Sequence, residues 1–331
     1  MSKQPSYRIR VDGVDISPRI NGRLISLVLT DNRGIEADDL QLSLSDHDGQ
    51  LAIPAKGARI QLLLGWDGGA LVDKGEYLVD EVTHSGAPDQ LAIRARSADF
   101  RASLKVKREQ SWHDTSLQAI VTALAERNQL EPVIGAPLGA IAVAHIDQTQ
   151  ESDINFLTRL AALYGATAAV KAGRLLFITQ GSGTTASGQP IAPATLTRGD
   201  GDQHHYQLAD RDSQYSGVQA NWNDKRYAFL KAEIAGVAGN LKVLRHSYRS
   251  ATEARAAAAA EWSRIRRQAA SFKLNLALGN PSLYPETPVR VRGFKEVIDA
   301  TAWLLVRVVH ELDDGGYRNR LELETQEQQG A

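Results

Sequence analysis

One stretch of the chain is written twice. Residues 77–84 read Tyr-Leu-Val-Asp-Glu-Val-Thr-His, and residues 303–310 read Trp-Leu-Leu-Val-Arg-Val-Val-His. The two align without a gap, aromatic with aromatic, Leu78 with Leu304, Val82 with Val308 and His84 with His310. Their flanks answer one another too. Upstream, residues 58–66 correspond to 288–294; downstream, a turn bearing Gly or Asp leads to a last strand, 89–96 in the first copy and 317–324 in the second. Short β-rich runs bounded by turn residues read as strands of an antiparallel barrel or split barrel. A β unit near each end therefore predicts two similar small barrels in one chain. A duplicated unit also doubles the number of like surfaces that an oligomer can present.

The length of 331 residues exceeds what one ordinary core organises, so two or three domains are expected. Thirty-eight Lys and Arg offset 39 Asp and Glu, with no block of like charge. Proteins that hold nucleic acid by its phosphates carry a basic surplus. Specific nucleic-acid binding is therefore not expected, although a near-neutral channel is compatible with passive passage of DNA. There is no cysteine, which removes disulfides, thiolate metal sites and cysteine nucleophiles. The first residues, Met1-Ser2-Lys3-Gln4-Pro5, lack the apolar core of a secretory signal. No run approaches the ~18–20 apolar residues of a membrane span. The expectation is synthesis in the cytoplasm and no membrane contact.

Residues 1–100 read as the first barrel. Tyr7-Arg8-Ile9-Arg10-Val11 alternates into the hairpin signal Asp12-Gly13, and Leu40-Gln41-Leu42-Ser43-Leu44-Ser45 alternates strictly. Residues 101–180 read as an ααββ insert. Thr115 with Gln118 predicts a capping box for a first helix carrying Leu117, Ile120, Val121 and Leu124. Ser152-Asp153 opens a second, striped by Ile154, Leu157, Leu160, Ala161 and Tyr164, and Gly165 suits its left-handed end. Two short strands follow around Ala172-Gly173. Residues 181–195, rich in Gly, Ser, Thr and Pro, read as a linker or surface loop. Residues 196–331 read as the second barrel, with strands at 203–208, 215–222 and 227–234. One long helix, 250–272, is capped by Ser250 with Glu253 and faced by Ala258, Trp262, Ile265, Ala269 and Phe272. Four arginines (Arg255, Arg264, Arg266, Arg267) should project from its other sides. The fold class is thus β-dominated α+β.

No motif points to catalysis. Asp46-His47-Asp48-Gly49 fails the calcium-loop pattern, since positions 1 and 12 would be Leu44 and Ala55, and reads as a hairpin turn. His310-Glu311-Leu312-Asp313-Asp314 lacks the second histidine of a zinc protease and lies in a β run. His204 and His205, adjacent on a strand, point to opposite faces and cannot share an ion. Gly-x-Ser-x-Gly and phosphate-loop patterns are absent. No catalytic, metal-binding or cofactor-binding residue is assigned, and no cofactor is expected. The arginine-bearing helix reads as a solvated or inter-subunit face.

Several segments together resemble the phage late control D family, baseplate hubs of contractile tails, and the hub half of type VI secretion spike proteins. They are the run from Gln150-Glu151-Ser152-Asp153-Ile154-Asn155-Phe156-Leu157 to Tyr164-Gly165-Ala166, continuing through Val170-Lys171-Ala172-Gly173-Arg174-Leu175-Leu176-Phe177; Gly75-Glu76-Tyr77-Leu78-Val79-Asp80-Glu81-Val82-Thr83-His84 with Ser97-Ala98-Asp99-Phe100; and Gln110-Ser111-Trp112-His113. The resemblance covers nearly the whole chain and rests on the order and spacing of these motifs. It implies a homotrimer with two tube-type barrels per subunit in a pseudo-six-fold ring. That ring would join a hexameric tail tube, or a tube initiator, to a trimeric central spike, beside baseplate wedge proteins. It implies no catalytic residues and assembly into a virion or a phage-tail-like bacteriocin. With no β-helical repeat before Ala331, the spike is expected to be a separate protein. Within the repeated units Trp66, Tyr77, Trp303 and Tyr317 are the candidate contact residues, with barrel core as their competing role. The rival class is a cell-wall-binding or wall-degrading tail module, which would need paired carboxylates flanking a cleft if it were hydrolytic.

Overall fold

The structure is a computed structural model and describes residues 4–97, 102–185, 187–208, 214–224 and 229–326. The first half runs β1 (Pro5–Val11), β2 (Val14–Asp15), α1 (Ser17–Ile20), β3 (Leu24–Asn32), β4 (Asp39–Ser45), β5 (Arg59–Trp66), β6 (Val72–Ser85) and β7 (Gln90–Ser97). The insert follows as β8 (Lys107–Ser116), α2 (Leu117–Arg127), β9 (Glu131–Ile134), α3 (Ala136–Gly139), β10 (Ala142–Ser152), α4 (Asp153–Tyr164), β11 (Ala166–Lys171) and β12 (Arg174–Thr179). The remainder is β13 (Ala194–Thr197), β14 (Gly201–Leu208), β15 (Gly217–Asp224), β16 (Phe229–Gly236), β17 (Leu241–Tyr248), α5 (Ala251–Arg267), β18 (Ala270–Leu276), β19 (Pro288–Arg292), α6 (Glu296–Asp299), β20 (Trp303–Asp313) and β21 (Gly316–Thr325).

The two halves are fused rather than separate. Thirteen strands form one sheet in the order β14-β18-β21-β20-β3-β4-β7-β6-β5-β1-β2, with β19 attached to β20 and β13 to β19. The join is the antiparallel pair of β20 and β3, from Arg307 opposite Asn32 to Asp313 opposite Ser26. Among the described residues no strand pair closes either half upon itself. The expected pair of barrels is thus observed as two equivalent halves of a single sheet.

The equivalence extends to the irregularities. The order β3-β4-β7-β6-β5 in the first half is matched by β14-β18-β21-β20-β19 in the second. Leu40, Leu42 and Leu44 on β4 find their counterparts in Phe272, Leu274 and Leu276 on β18. A bulge between Val79 and Glu81 of β6 recurs between Leu305 and Arg307 of β20. A second, between Leu24 and Ser26 of β3, recurs between Gly201 and Gln203 of β14. A bulge adds one residue to one strand and re-aims everything beyond it, so two shared bulges fix the correspondence residue by residue. The outermost strands differ: β1 lies antiparallel to β5, whereas β13 lies parallel to β19.

Each half wraps its own core, because alternation along each strand sends every second side chain to one face. Ile9, Leu27, Leu29, Leu40, Leu62, Tyr77 and Ala95 are among the first core's buried residues. Phe272, Leu274, Trp303, Val308 and Leu321 belong to the second. Leu312 and Tyr317, from the second half, cross the join and are buried in the first core. The insert has a third core built on α2 and α4 (Ile120, Leu124, Phe156, Leu160) against Val170, Leu175 and Phe177. A fourth lies between α5 and the β16-β15-β17 sheet, around Val218, Ala220, Ala254, Ala258 and Ile265.

Several local expectations are refined. The first insert helix is capped by Ser116, the last residue of β8, whose hydroxyl accepts from Ala119 N at 3.1 Å, and not by Thr115 one residue earlier. The second opens as expected at Ser152, with Gly165 at φ 62° closing it. Ser250 caps α5 with Glu253 returning to Arg249 N. The insert also holds β8, β9 and β10, so it is richer in strands than ααββ. The long helix stops at Arg267, not 272. Phe272 fits a helical stripe by spacing, but Ala270, Phe272, Leu274 and Leu276 alternate, and strand pairing with β14 and β21 on both sides wins. The strand predicted over 227–234 is observed as β16; its first two residues lie outside the described residues. It belongs, with β15, to the separate sheet under α5 and not to the main one. Arg267 does not project: it is buried, its guanidinium against Glu324 and Gln180.

Candidate assembly surface

The four aromatics singled out from the repeat converge on the interior. Tyr77 and Trp303 occupy equivalent positions, 2% and 0% exposed, each filling the core of its own half. Trp303 Nε1 donates to Ile298 O at 3.0 Å and Tyr77 Oη to Lys74 O at 2.6 Å, so neither ring leaves its polar atom unsatisfied. Tyr317 is 2% exposed. Trp66 is half-buried beside it, with ring centroids 5.5 Å apart. Burial of Tyr77, Trp303 and Tyr317 removes those rings from any partner's reach and gives them the core role.

Tyr317 and Trp66 instead lock the two halves together. Trp66 Nε1 reaches across to donate to Gly279 O at 2.9 Å. Tyr317 Oη and Asn319 Nδ2 both stand within hydrogen-bond distance of His310 Nδ1, at 2.7 and 2.8 Å, and share its single acceptor site. Burial, with Lys74 as a neighbouring cation, holds His310 well below the usual imidazole range, so it is the neutral acceptor this geometry needs. Lys74 caps the carbonyls of Pro281 and Leu283 at 3.0 and 3.2 Å, and burial lowers its pKa. His84 has the opposite fate at the equivalent position. It is exposed and meets Asp46 at 3.2 Å. The difference is that β3 covers the second half of β20, and no strand covers the second half of β6 among the described residues.

A charged joint ties the insert to this seam. Lys171 of β11 bonds Asp31 at 3.0 Å and also Asp38. Burial pushes Asp38 up to about 6 against the pull of Lys171; burial alone would lower Lys171, but the two carboxylates more than reverse it. Arg33 grips Glu324 through both nitrogens and faces Glu286 at 3.7 Å. Burial raises Glu286, and Gly181 N of the 181–195 segment donates to it at 3.2 Å. Asp31, Arg33, Lys171 and Glu286 line a cleft of about 310 Å³ with Thr167, Ile178 and Tyr284. Since its charges already pair across it, the cleft acts as a structural joint. The insert's most buried carboxylate, Asp153, is likewise bound by Arg127, Gln148 and Asn128 at 2.8–3.0 Å. It is locked in structure rather than poised for proton transfer.

The sheet face away from the cores is polar and balanced. Arg94 meets Asp39 at 2.9 Å, Arg96 meets Asp80 at 2.9 Å, Lys273 meets Glu322 at 3.2 Å, and Arg320 pairs with Glu311. Exposed pairs of this kind each contribute about 0–1 kcal/mol. Their effect is a hydrophilic, near-neutral surface more than added stability. No cluster among the described residues has the composition of a metal site. No helix among them is long and apolar enough to cross a membrane.

Comparison with known proteins decides the family. The model of the phage tail baseplate hub (GPD) matches residues 36–316. The chain belongs to the phage tail baseplate hub family. It is 44% identical over 364 residues to the probable baseplate hub protein of Escherichia phage 186, covering 98% of this chain and 93% of that one. A tail protein from Neisseria meningitidis shares the fold with a TM-score of 0.72 at 16% identity, over 97% of this chain and 96% of the other. A component of the E. coli type VI secretion system shares it with a TM-score of 0.56 at 14% identity, over 97% and 77%. The hub is therefore a baseplate component of a β-rich structural family.

Which strand edges of this hub are left exposed is visible only in the structure. The outer edge of β14 and the second half of β6 have no strand partner among the described residues. Leu208, at the end of β14, is 71% exposed. The unequal surroundings of His84 and His310 are visible only in three dimensions.

Proposed function

We propose that the chain is the structural hub of a contractile phage-like baseplate. In this reading it forms a homotrimer whose six like halves make a pseudo-six-fold ring. One side of the ring meets the hexameric tail tube or its initiator, the other holds a trimeric central spike, and wedge proteins surround it. The chain works by shape and interface, without catalysis. The observation that carries this is the repetition of both bulges at equivalent positions in two halves of one sheet. Three such chains present six near-identical sectors, so a six-fold partner meets six like surfaces without six identical chains. The balanced polar face opposite the cores supports a channel wall that neither holds nor repels a passing polymer strongly.

The test is the mass of the purified chain in solution at micromolar concentration, alone and with its spike, followed by electron microscopy of the complex. Trimers forming a ring are expected. A monomer in both conditions would overturn the proposal, and clearing of purified cell walls by the chain alone would move the reading to a wall-degrading module.

A further inference from the structure

The chain contains one filled seam and the two halves of another. In the filled seam, β3 pads the second half of β20. The shared bulges equate β6 with β20 and β3 with β14. By that equation β6 should also receive a strand along residues 81–85, and β14 should lie against one. Neither does so among the described residues. We propose that β14 of one copy adds, antiparallel, to the second half of β6 of the next copy. The register follows from the filled seam. Asp31 opposite Val308 becomes Leu208 opposite Val82; Thr30 opposite Val309 becomes Gln207 opposite Thr83; Leu29 opposite His310 becomes Tyr206 opposite His84. This rests on the trimeric reading above and adds to it the surface, the partner and the pairing.

Three observations on the two free edges support the pairing. First, exposure tracks the missing strand. Leu27, Leu29, Val308, Val309 and His310 along the filled seam are buried; of their counterparts on the free strands, His204, Thr83 and His84 are exposed and Tyr206 and Val82 are only partly buried. Second, the edges are unguarded. Sheet edges left in water are blunted by Lys, Pro or inward charges. Residues 203–208 read Gln-His-His-Tyr-Gln-Leu and residues 82–85 read Val-Thr-His-Ser, with no Lys, Arg, Pro or carboxylate in either; the nearest charge on β6, Glu81, lies at the end of the proposed ladder. Third, the faces match. Tyr206 and Val82 already pack at the margins of their respective cores, so the added strand would seat Leu208 beside Val82 and join two existing cores. The contact is head-to-tail, and such contacts make a ring when the rotation closes and an open helix when it does not.

The absence of cysteine gives a clean test. Thr83→Cys combined with Gln207→Cys places two thiols directly opposite one another across the seam, within disulfide reach after small adjustment. Seven strand spacings separate β6 from β14 along the sheet, about 33 Å at ~4.7 Å each, so a bond within one chain is not expected. Mild oxidation of the full chain should convert most of it to a reductant-sensitive covalent trimer on a denaturing gel, with each single variant uncrosslinked. Val82→Cys with Leu208→Cys should do the same and guards against failure of one pair. Thr83→Cys with Gln203→Cys, four residues out of register, should not. Trimers by mass without crosslinks in either in-register pair would overturn the pairing and leave the hub reading standing. Equal crosslinking of the out-of-register pair would overturn it too. A covalent ladder running past trimer would support the pairing and overturn the three-fold ring.

Discussion

Trp66 of the first half donates to Gly279 O at the seam, and a single methyl group at Gly279 should measure how tightly Tyr317 is packed there. A Cβ at this position would lie 2.7 Å from Cδ1 and 2.8 Å from Cδ2 and Cε1 of Tyr317. Ordinary contact needs about 3.5 Å, so the ring would have to retreat by roughly 0.7 Å against neighbours packed at crystal-like density. It has little room. Trp66 stands 5.5 Å away between ring centroids, and the hydroxyl is tethered to His310. Overpacking of this kind costs about 1–3 kcal/mol, and loss of the tether about 1 more. The Gly→Ala gain through the unfolded chain returns about 0.4–1 kcal/mol. Gly279→Ala should therefore destabilise by about 2 kcal/mol, or about 3 °C in Tm for a chain of this length that melts as a unit. The decisive assay is a double-mutant cycle by thermal unfolding. Tyr317→Leu removes the ring that the methyl strikes, so the double variant should cost at least 1 kcal/mol less than the sum of the singles. Additive costs, or no effect of Gly279→Ala, would refute the argument that Tyr317 is tightly held beside Gly279 at the seam.

Two further predictions concern the charged joint. Asp38 has a folded-state pKa of about 6, above its unfolded value, so the stability it contributes is fully present at low pH and is lost as pH rises through 6. Asp38→Asn should gain about 1 kcal/mol on the parent chain between pH 5 and pH 7; a constant difference in Tm across that range would contradict this. Arg33→Met leaves Glu324 and Glu286 facing one another with only Arg267 nearby. It should cost about 3–5 kcal/mol at pH 7. The cost should shrink at pH 5, where Glu286, raised by burial and by the neighbouring Glu324 charge, takes up a proton more readily; denaturant titrations at both values that show an equal or larger loss at pH 5 would sink it.

Much of this architecture was legible because the repeat is short-range information. The alternation in residues 40–45, the paired runs at 77 and 303, and the caps Ser152, Gly165 and Ser250 each state a local preference that the fold honours. What was not legible depends on neighbours distant in sequence. Phe272 fits both a helical stripe and a strand, and only β14 and β21 on its flanks decide between them. Trp66 and Tyr317 carry no local sign that they meet across the join. Thr115 and Ser116 are equally good caps on paper; the pairing of β8 with β10 runs on through Ser116, opposite Ala142, so the first helical residue is Leu117 and Ser116 takes the cap position.

The deepest ambiguity lies in the repeat itself, and it shows why sequence identity and structural role separate. His84 and His310 occupy the same register position of matched strands, yet one is in solvent and the other is neutral, buried and hydrogen-bonded. The residues next to each histidine do not encode that difference. It is set by β3, which begins more than fifty residues before His84 and lies beside the other copy. Burial of a polar imidazole at the His310 site is costly, and Tyr317 and Asn319 offset part of that cost at Nδ1. At position 84 the free edge asks for no such partners. A duplicated strand can therefore keep its pattern while each copy adapts to what covers it, and the exposed copy records the shape of a covering strand that one chain by itself does not supply.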